Sequence, residues 1–161
     1  MKSFNRTNGH AYLDFELFDA QFDQSILCPE TKSVRINKSE GYVISIARTD
    51  KNKRLEAAAK KAKQLGLKHK VYCTSYNTSS KTTYAQDCIN FIKELGSEVY
   101  LDRPHSEIME ALSRAEFLIL SSINETFCHV AHEALQVGVK VMAYEVPPVM
   151  LGHEDMLIPW Q

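Results

Sequence analysis

The sequence is poor in glycine. Its six glycines stand at positions 9, 41, 66, 96, 138 and 152, so neither G-x-G-x-x-G nor G-x-x-x-x-G-K-[ST] can be written anywhere in it. The glycine-rich dinucleotide loop and the P-loop are both excluded. G-x-S-x-G is missing too, which removes the nucleophile elbow of the α/β-hydrolases. The nearest approach to a metal-holding D-x-D pair is Asp14-x-Glu16, which does not support metal-dependent sugar transfer. The cysteines at 28, 73, 88 and 128 form no C-x-x-C pair, so they read as reduced thiols rather than a disulfide framework or a zinc cage. His129, His132 and Glu133 are closely spaced but do not make H-E-x-x-H, and a helix surface explains them better than a metal site.

Long apolar runs are also lacking. None approaches the roughly 18 residues of a membrane helix, and the first residues, Met1-Lys2-Ser3-Phe4, lead into no signal-peptide core, so a cytoplasmic protein without a transmembrane segment is expected. Nor is there an excess of charge: 19 Lys and Arg against 20 Asp and Glu leave −1 overall, which provides no global field for nucleic acid or an anionic bilayer. The basic run from Lys51 to Lys70 reads first as a solvated helix face.

What is present is the composition of one globular domain, 44% hydrophobic and 24% charged over 161 residues. From Gly41 onward, apolar runs alternate with stretches of helical period, which predicts a doubly wound, mostly parallel α/β sheet with helices on both faces. Strands are expected at 42–47, 70–74, 99–101, 117–120 and 139–144. Helices are expected at 55–66, 83–95, 106–114 and 126–137, with a polar loop at 75–81. Pro147 and Pro148 should end regular structure. The first 40 residues do not share the rhythm and read as an appendage or linker, with a short strand expected at 33–37; residues 41–161 form the domain.

Two segments follow strands and lead into helices. Ligands of open α/β sheets bind beyond the carboxyl ends of the strands, where helix N-termini present free N–H groups. In the first segment, Arg48 and Lys53 have the charge that suits a diphosphate. The second runs from Ser121 to Cys128 and leads to Glu133. A carboxylate near a nucleotide can accept both ribose hydroxyls. Glu125 at a helix start would be stabilised by the dipole whatever its role, and Glu133 could equally be an ordinary exposed helix carboxylate.

The set Ser122, Glu125, Phe127, Glu133, Ala134, Gly138 and Val141, behind the Arg48/Lys53 pair, resembles the signature of retaining group 1 glycosyltransferases of the GT-B fold. That family pairs two Rossmann-like domains, and the resemblance covers about residues 43–149. It implies the C-terminal, nucleotide-sugar-binding half of a hexosyltransferase, with a nucleoside diphosphate sugar as donor substrate and no further cofactor or metal. By position, Arg48 and Lys53 would bind the diphosphate, Glu133 the ribose, and Glu125 the donor sugar as the catalytic residue. Backbone N–H groups of Thr126, Phe127 and Cys128 would face the sugar or phosphate. The family usually has Gly at positions 126 and 128. The resemblance further implies an acceptor-binding domain or second chain as partner, and no sugar transfer by the isolated chain. A non-catalytic nucleotide-sugar binding module of the same fold is the alternative, and a pure interaction domain a third.

Overall fold

The computed structural model describes residues 34–74 and 82–161. Six parallel strands form one sheet in the order β3-β2-β1-β4-β5-β6. They are β1 Tyr42–Ala47, β2 Lys68–Cys73, β3 Glu98–Leu101, β4 Phe117–Leu120, β5 Lys140–Ala143 and β6 Leu157–Ile158. The connecting helices are α1 Leu55–Gln64, α2 Thr82–Glu94, α3 His105–Arg114 and α4 His129–Gln136. The expected doubly wound α/β fold is thus the observed one.

Continuous apolar strands are what a sheet covered on both faces requires. Tyr42, Ile44 and Ile46 of β1 face Leu112 of α3 and Ala131, Ala134 and Leu135 of α4. Val43 faces the other way, with Phe117, Ile119 and Met142, onto Ala58 and Ala62 of α1. Val71 and Cys73 of β2 complete that second layer against Cys88, Ile89 and Ile92 of α2. Lys61, on the buried face of α1, keeps its ammonium over the Trp160 ring at 5.2 Å.

One polar group crosses this apolar layer. His69 of β2 is buried, with Nε2 2.8 Å from Ser45 Oγ and Nδ1 2.8 Å from Ser97 Oγ. Ser45 Oγ donates to the Ile119 carbonyl (3.2 Å), so it must accept from His69 Nε2–H, which leaves Nδ1 to accept from Ser97. This hydroxyl–imidazole–hydroxyl chain satisfies every member with a neutral ring. Burial accordingly pushes the His69 imidazolium down from 6.5 to about 4.

Several boundaries differ from the sequence expectation. The last long helix starts at His129 rather than 126, because Cys128 takes φ 70° and the helix cannot extend back through it. Regular structure does not end at Pro147-Pro148: two 3-10 turns, Pro148–Met150 and Glu154–Met156, lead to the two-residue strand β6. No strand forms in 34–37. Instead this segment is strapped across the ends of α3 and α4. Ile36 N donates to Val137 O (3.2 Å), Arg35 Nη2 reaches the Ala115 carbonyl, and Asn37 Nδ2 donates to Ser113 Oγ (2.7 Å). Gly138 lies directly beneath it at φ +71°, and a Cβ there would run into the Arg35 backbone. The expected loop at 75–81 and most of the N-terminal appendage lie outside the described residues.

Candidate functional site

The order in which strands are added across the sheet reverses between β1 and β4, and a crevice opens beyond their carboxyl ends. A cavity of about 110 Å³ lies there, lined among others by Lys53, Ser122, Glu125, Phe127 and Cys128. The two loops that frame it are tied together by hydrogen bonds to backbone carbonyls of the first. Ser121 Oγ donates to Lys53 O (2.8 Å), and Ile123 N donates to Asn52 O (3.1 Å). Asp50 shapes the first loop by accepting from Asn52 N (3.1 Å) and Lys53 N (3.2 Å) through Oδ1. Glu145, beyond β5, steadies the second by accepting from Asn124 N (3.1 Å) at a residue with φ 59°. The Arg54 guanidinium rests 4.3 Å from the Tyr144 ring centroid, so the turn after β5 holds both loops.

Across the cavity, Lys53 Nζ and Glu125 Oε1 are 2.5 Å apart, with side chains only 22% and 13% exposed. Burial pushes the Glu125 carboxyl up. The Lys53 hydrogen bond, the neighbouring Ser122 hydroxyl and the charges of Lys53 and Arg48 outweigh that, and the group ends below its ordinary range. Ser122 Oγ is fully buried and makes no hydrogen bond of full geometry among the described residues; it contributes by lying against the carboxylate. Arg48 stands on the same loop outside the cavity wall, half-exposed and 3.2 Å from Asp50.

Thr126, Phe127 and Cys128 line the cavity as loop residues before α4. Glu125 is therefore not the first residue of a helix, and its stabilisation comes from Lys53 rather than from the dipole. Cys128 adopts the left-handed conformation that glycine accepts without strain. Burial pushes its thiol up to about 12, as it does those of Cys73 and Cys88, so none of the three is a thiolate nucleophile. Glu133 is not an exposed helix carboxylate: it is 13% exposed, and its Oε1 lies 2.7 Å from His105 Nε2 at the start of α3. Reading the sequence did not single out His105 or Glu145. The only available signal was position, since each follows the carboxyl end of a strand on the same edge of the sheet. Among the described residues no cluster of three His, Cys, Asp or Glu side chains is placed to hold a metal ion.

A family model described as glycosyl transferases, group 1, matches residues 29–151. The chain belongs to that family. No curated protein matches the sequence. Among solved structures, this group 1 chain is similar to a sucrose-phosphate synthase from Thermosynechococcus elongatus, at TM-score 0.58 and 19% identity over 76% of this chain and 33% of that one. It is also similar to the lipopolysaccharide outer core galactosyltransferase WaaB, at TM-score 0.53 and 19% identity over 80% and 37%. A third is AviGT4, a glycosyltransferase of avilamycin A biosynthesis, at 0.53 and 16% over 72% and 36%. At these identities the likeness establishes the fold, that of a GT-B half-domain. The chain spans about a third of the length of these structures. No helix among its described residues is long and apolar enough to cross a membrane.

Proposed function

We propose that this chain is the donor-binding, C-terminal half of a retaining glycosyltransferase and takes a nucleoside diphosphate sugar at the β1/β4 crevice. The observation that carries this reading is the meeting of Lys53 and Glu125 from loops on either side of the switch point, cation and carboxylate in one small cavity. Lys53, with Arg48 at the rim, neutralises the diphosphate. Glu125 accepts hydroxyls of the donor sugar and serves as the catalytic carboxylate of the centre. Glu133 accepts the ribose hydroxyls, and the N–H groups of Thr126, Phe127 and Cys128 complete the anion cradle. An acceptor hydroxyl held by another domain or chain supplies the in-line positioning that transfer needs. The side chains of Thr126 and Cys128 narrow the cavity where the family usually has glycine, and this favours a second reading, a module that binds the nucleotide-sugar without turning it over.

A ligand bound only by the native state raises the melting temperature in proportion to RT ln(1 + [L]/Kd). Uridine, guanosine and adenosine diphosphates and their sugars are therefore expected to include at least one that stabilises the chain. The shift should be the same with and without a chelator. Loss of the shift on chelation would remove the metal-free part of the proposal, and no shift with any of them would remove the donor reading. Release of free sugar from the stabilising donor separates the catalytic reading from the binding module.

A further inference from the structure

We infer that His105 is a positioning residue for nucleotide binding: its Nε2–H holds the Glu133 carboxylate in the orientation that accepts a ribose diol. The inference rests on the donor reading of Glu133. The geometry is specific. Glu133 Oε1 lies 2.7 Å from His105 Nε2, and no hydrogen bond engages Oε2 among the described residues. An ionised carboxylate is an acceptor only, so Nε2 carries the proton. That leaves Oε2 and the remaining lone pairs of Oε1 for two hydroxyls.

The two side chains come from different elements. Glu133 lies in the second turn of α4 and His105 is the first residue of α3, 28 positions away. Glu133 is the charged group that faces His105 from α4. On the segment of His105 itself, Arg103 and Glu107 are engaged with each other at 2.9 Å. The hydrogen bond to Glu133 pushes the imidazole above its ordinary range, against the opposing effect of burial. A protonated ring always offers Nε2–H. A neutral ring offers it in only one of two tautomers, and as a weaker, uncharged donor. The hold on Glu133 should therefore slacken as pH rises through the His105 titration, and only a ligand with a full ribose should register the change.

The test measures the dissociation constants of uridine, guanosine and adenosine diphosphates and of their 2′-deoxy analogues between pH 5.5 and 8.5. The proteins compared are the wild-type chain, His105→Ala, His105→Gln and Glu133→Gln. The expected wild-type result is a preference for the ribonucleotide of about tenfold or more at low pH, since a hydrogen bond to a charged group contributes about 1.5–3 kcal/mol. This preference should shrink severalfold toward pH 8.5. His105→Ala should hold it at the reduced level throughout. His105→Gln, which donates without titrating, should restore it independently of pH. Were Glu133→Gln to leave the wild-type preference intact, Glu133 would not read ribose, and the inference about His105 would go with it. Were Glu133→Gln to erase the preference while His105→Ala and pH left it untouched, the donor reading would stand and the role of His105 would be overturned.

Discussion

Lys53→Ala is expected to weaken nucleoside diphosphate binding by tenfold to a hundredfold while the chain stays folded. The charge of Lys53 sets the size of the effect. A hydrogen bond to an ionised group contributes about 1.5–3 kcal/mol, and each 1.4 kcal/mol is a factor of ten. The substitution also leaves Glu125 13% exposed with its nearest cation gone, facing an incoming dianion. The partner variant has the opposite sign. In the free protein the ammonium of Lys53 is engaged by Glu125 at 2.5 Å, so a diphosphate must compete for it. Glu125→Gln removes that competitor and should bind the free nucleoside diphosphate at least as tightly as wild type, while losing the additional affinity contributed by the sugar. Calorimetric titration of both variants with a nucleoside diphosphate and the matching sugar decides the matter. Unchanged diphosphate affinity in Lys53→Ala would place the phosphates somewhere other than the β1/β4 crevice.

Acid should destabilise the chain by about 3 kcal/mol through His69 alone. The ring is neutral between two serine hydroxyls in the folded protein, with its pKa pushed down to about 4, against 6.5 in an unfolded chain. A depressed histidine pKa means that the unfolded state binds the proton first, so its stabilisation is complete above pH 6.5 and drains away as pH falls toward 4. Glu125, held below its ordinary range, loses its own contribution in the same direction as it is protonated. The two effects are separated by His69→Gln, which keeps a polar group in the layer and removes the titration. Urea unfolding at pH 7, 5.5 and 4 should show a markedly shallower acid loss in the variant than in wild type. Parallel curves would mean that His69 does not set the acid limit.

The parts of the fold that could be read from the sequence are those with a strong local period. Residues 117–120 are apolar along their whole length, and 42–47 along all but Ser45, because both faces of those strands are covered, and their bounds match β1 and β4. The start of α4 could not be read the same way. Phe127 fits the helical spacing of Val130, Ala131 and Ala134, yet the left-handed Cys128 interrupts the backbone at a point no side-chain pattern marks. The strand β6 is two residues long, too short to carry any period. At the site, the loops could be located because strand ends are predictable. The pairings within them could not: Lys53 meets Glu125 across 72 positions and Glu133 meets His105 across 28, and neither separation leaves a local trace. The strap at 34–37 was hidden because its inward-facing side chains, Arg35 and Asn37, are polar and bind helix ends instead of joining a core.

The meeting of β1 with β4 also bears on the time course of folding. Their pairing, through Ile44 and Leu118, closes a loop of about 70 residues that contains three helices and two strands. Contacts of such sequence separation carry a large closure entropy and form slowly. A crevice built from the loops after these two strands is thus completed by one of the least local contacts in the fold. A ligand seated there has little to hold in a partly folded chain, so it should leave the folding rate nearly unchanged and act on the reverse step. Unfolding would slow by a factor near 1 + [L]/Kd, which makes donor concentration a control on how long each molecule survives in its native form.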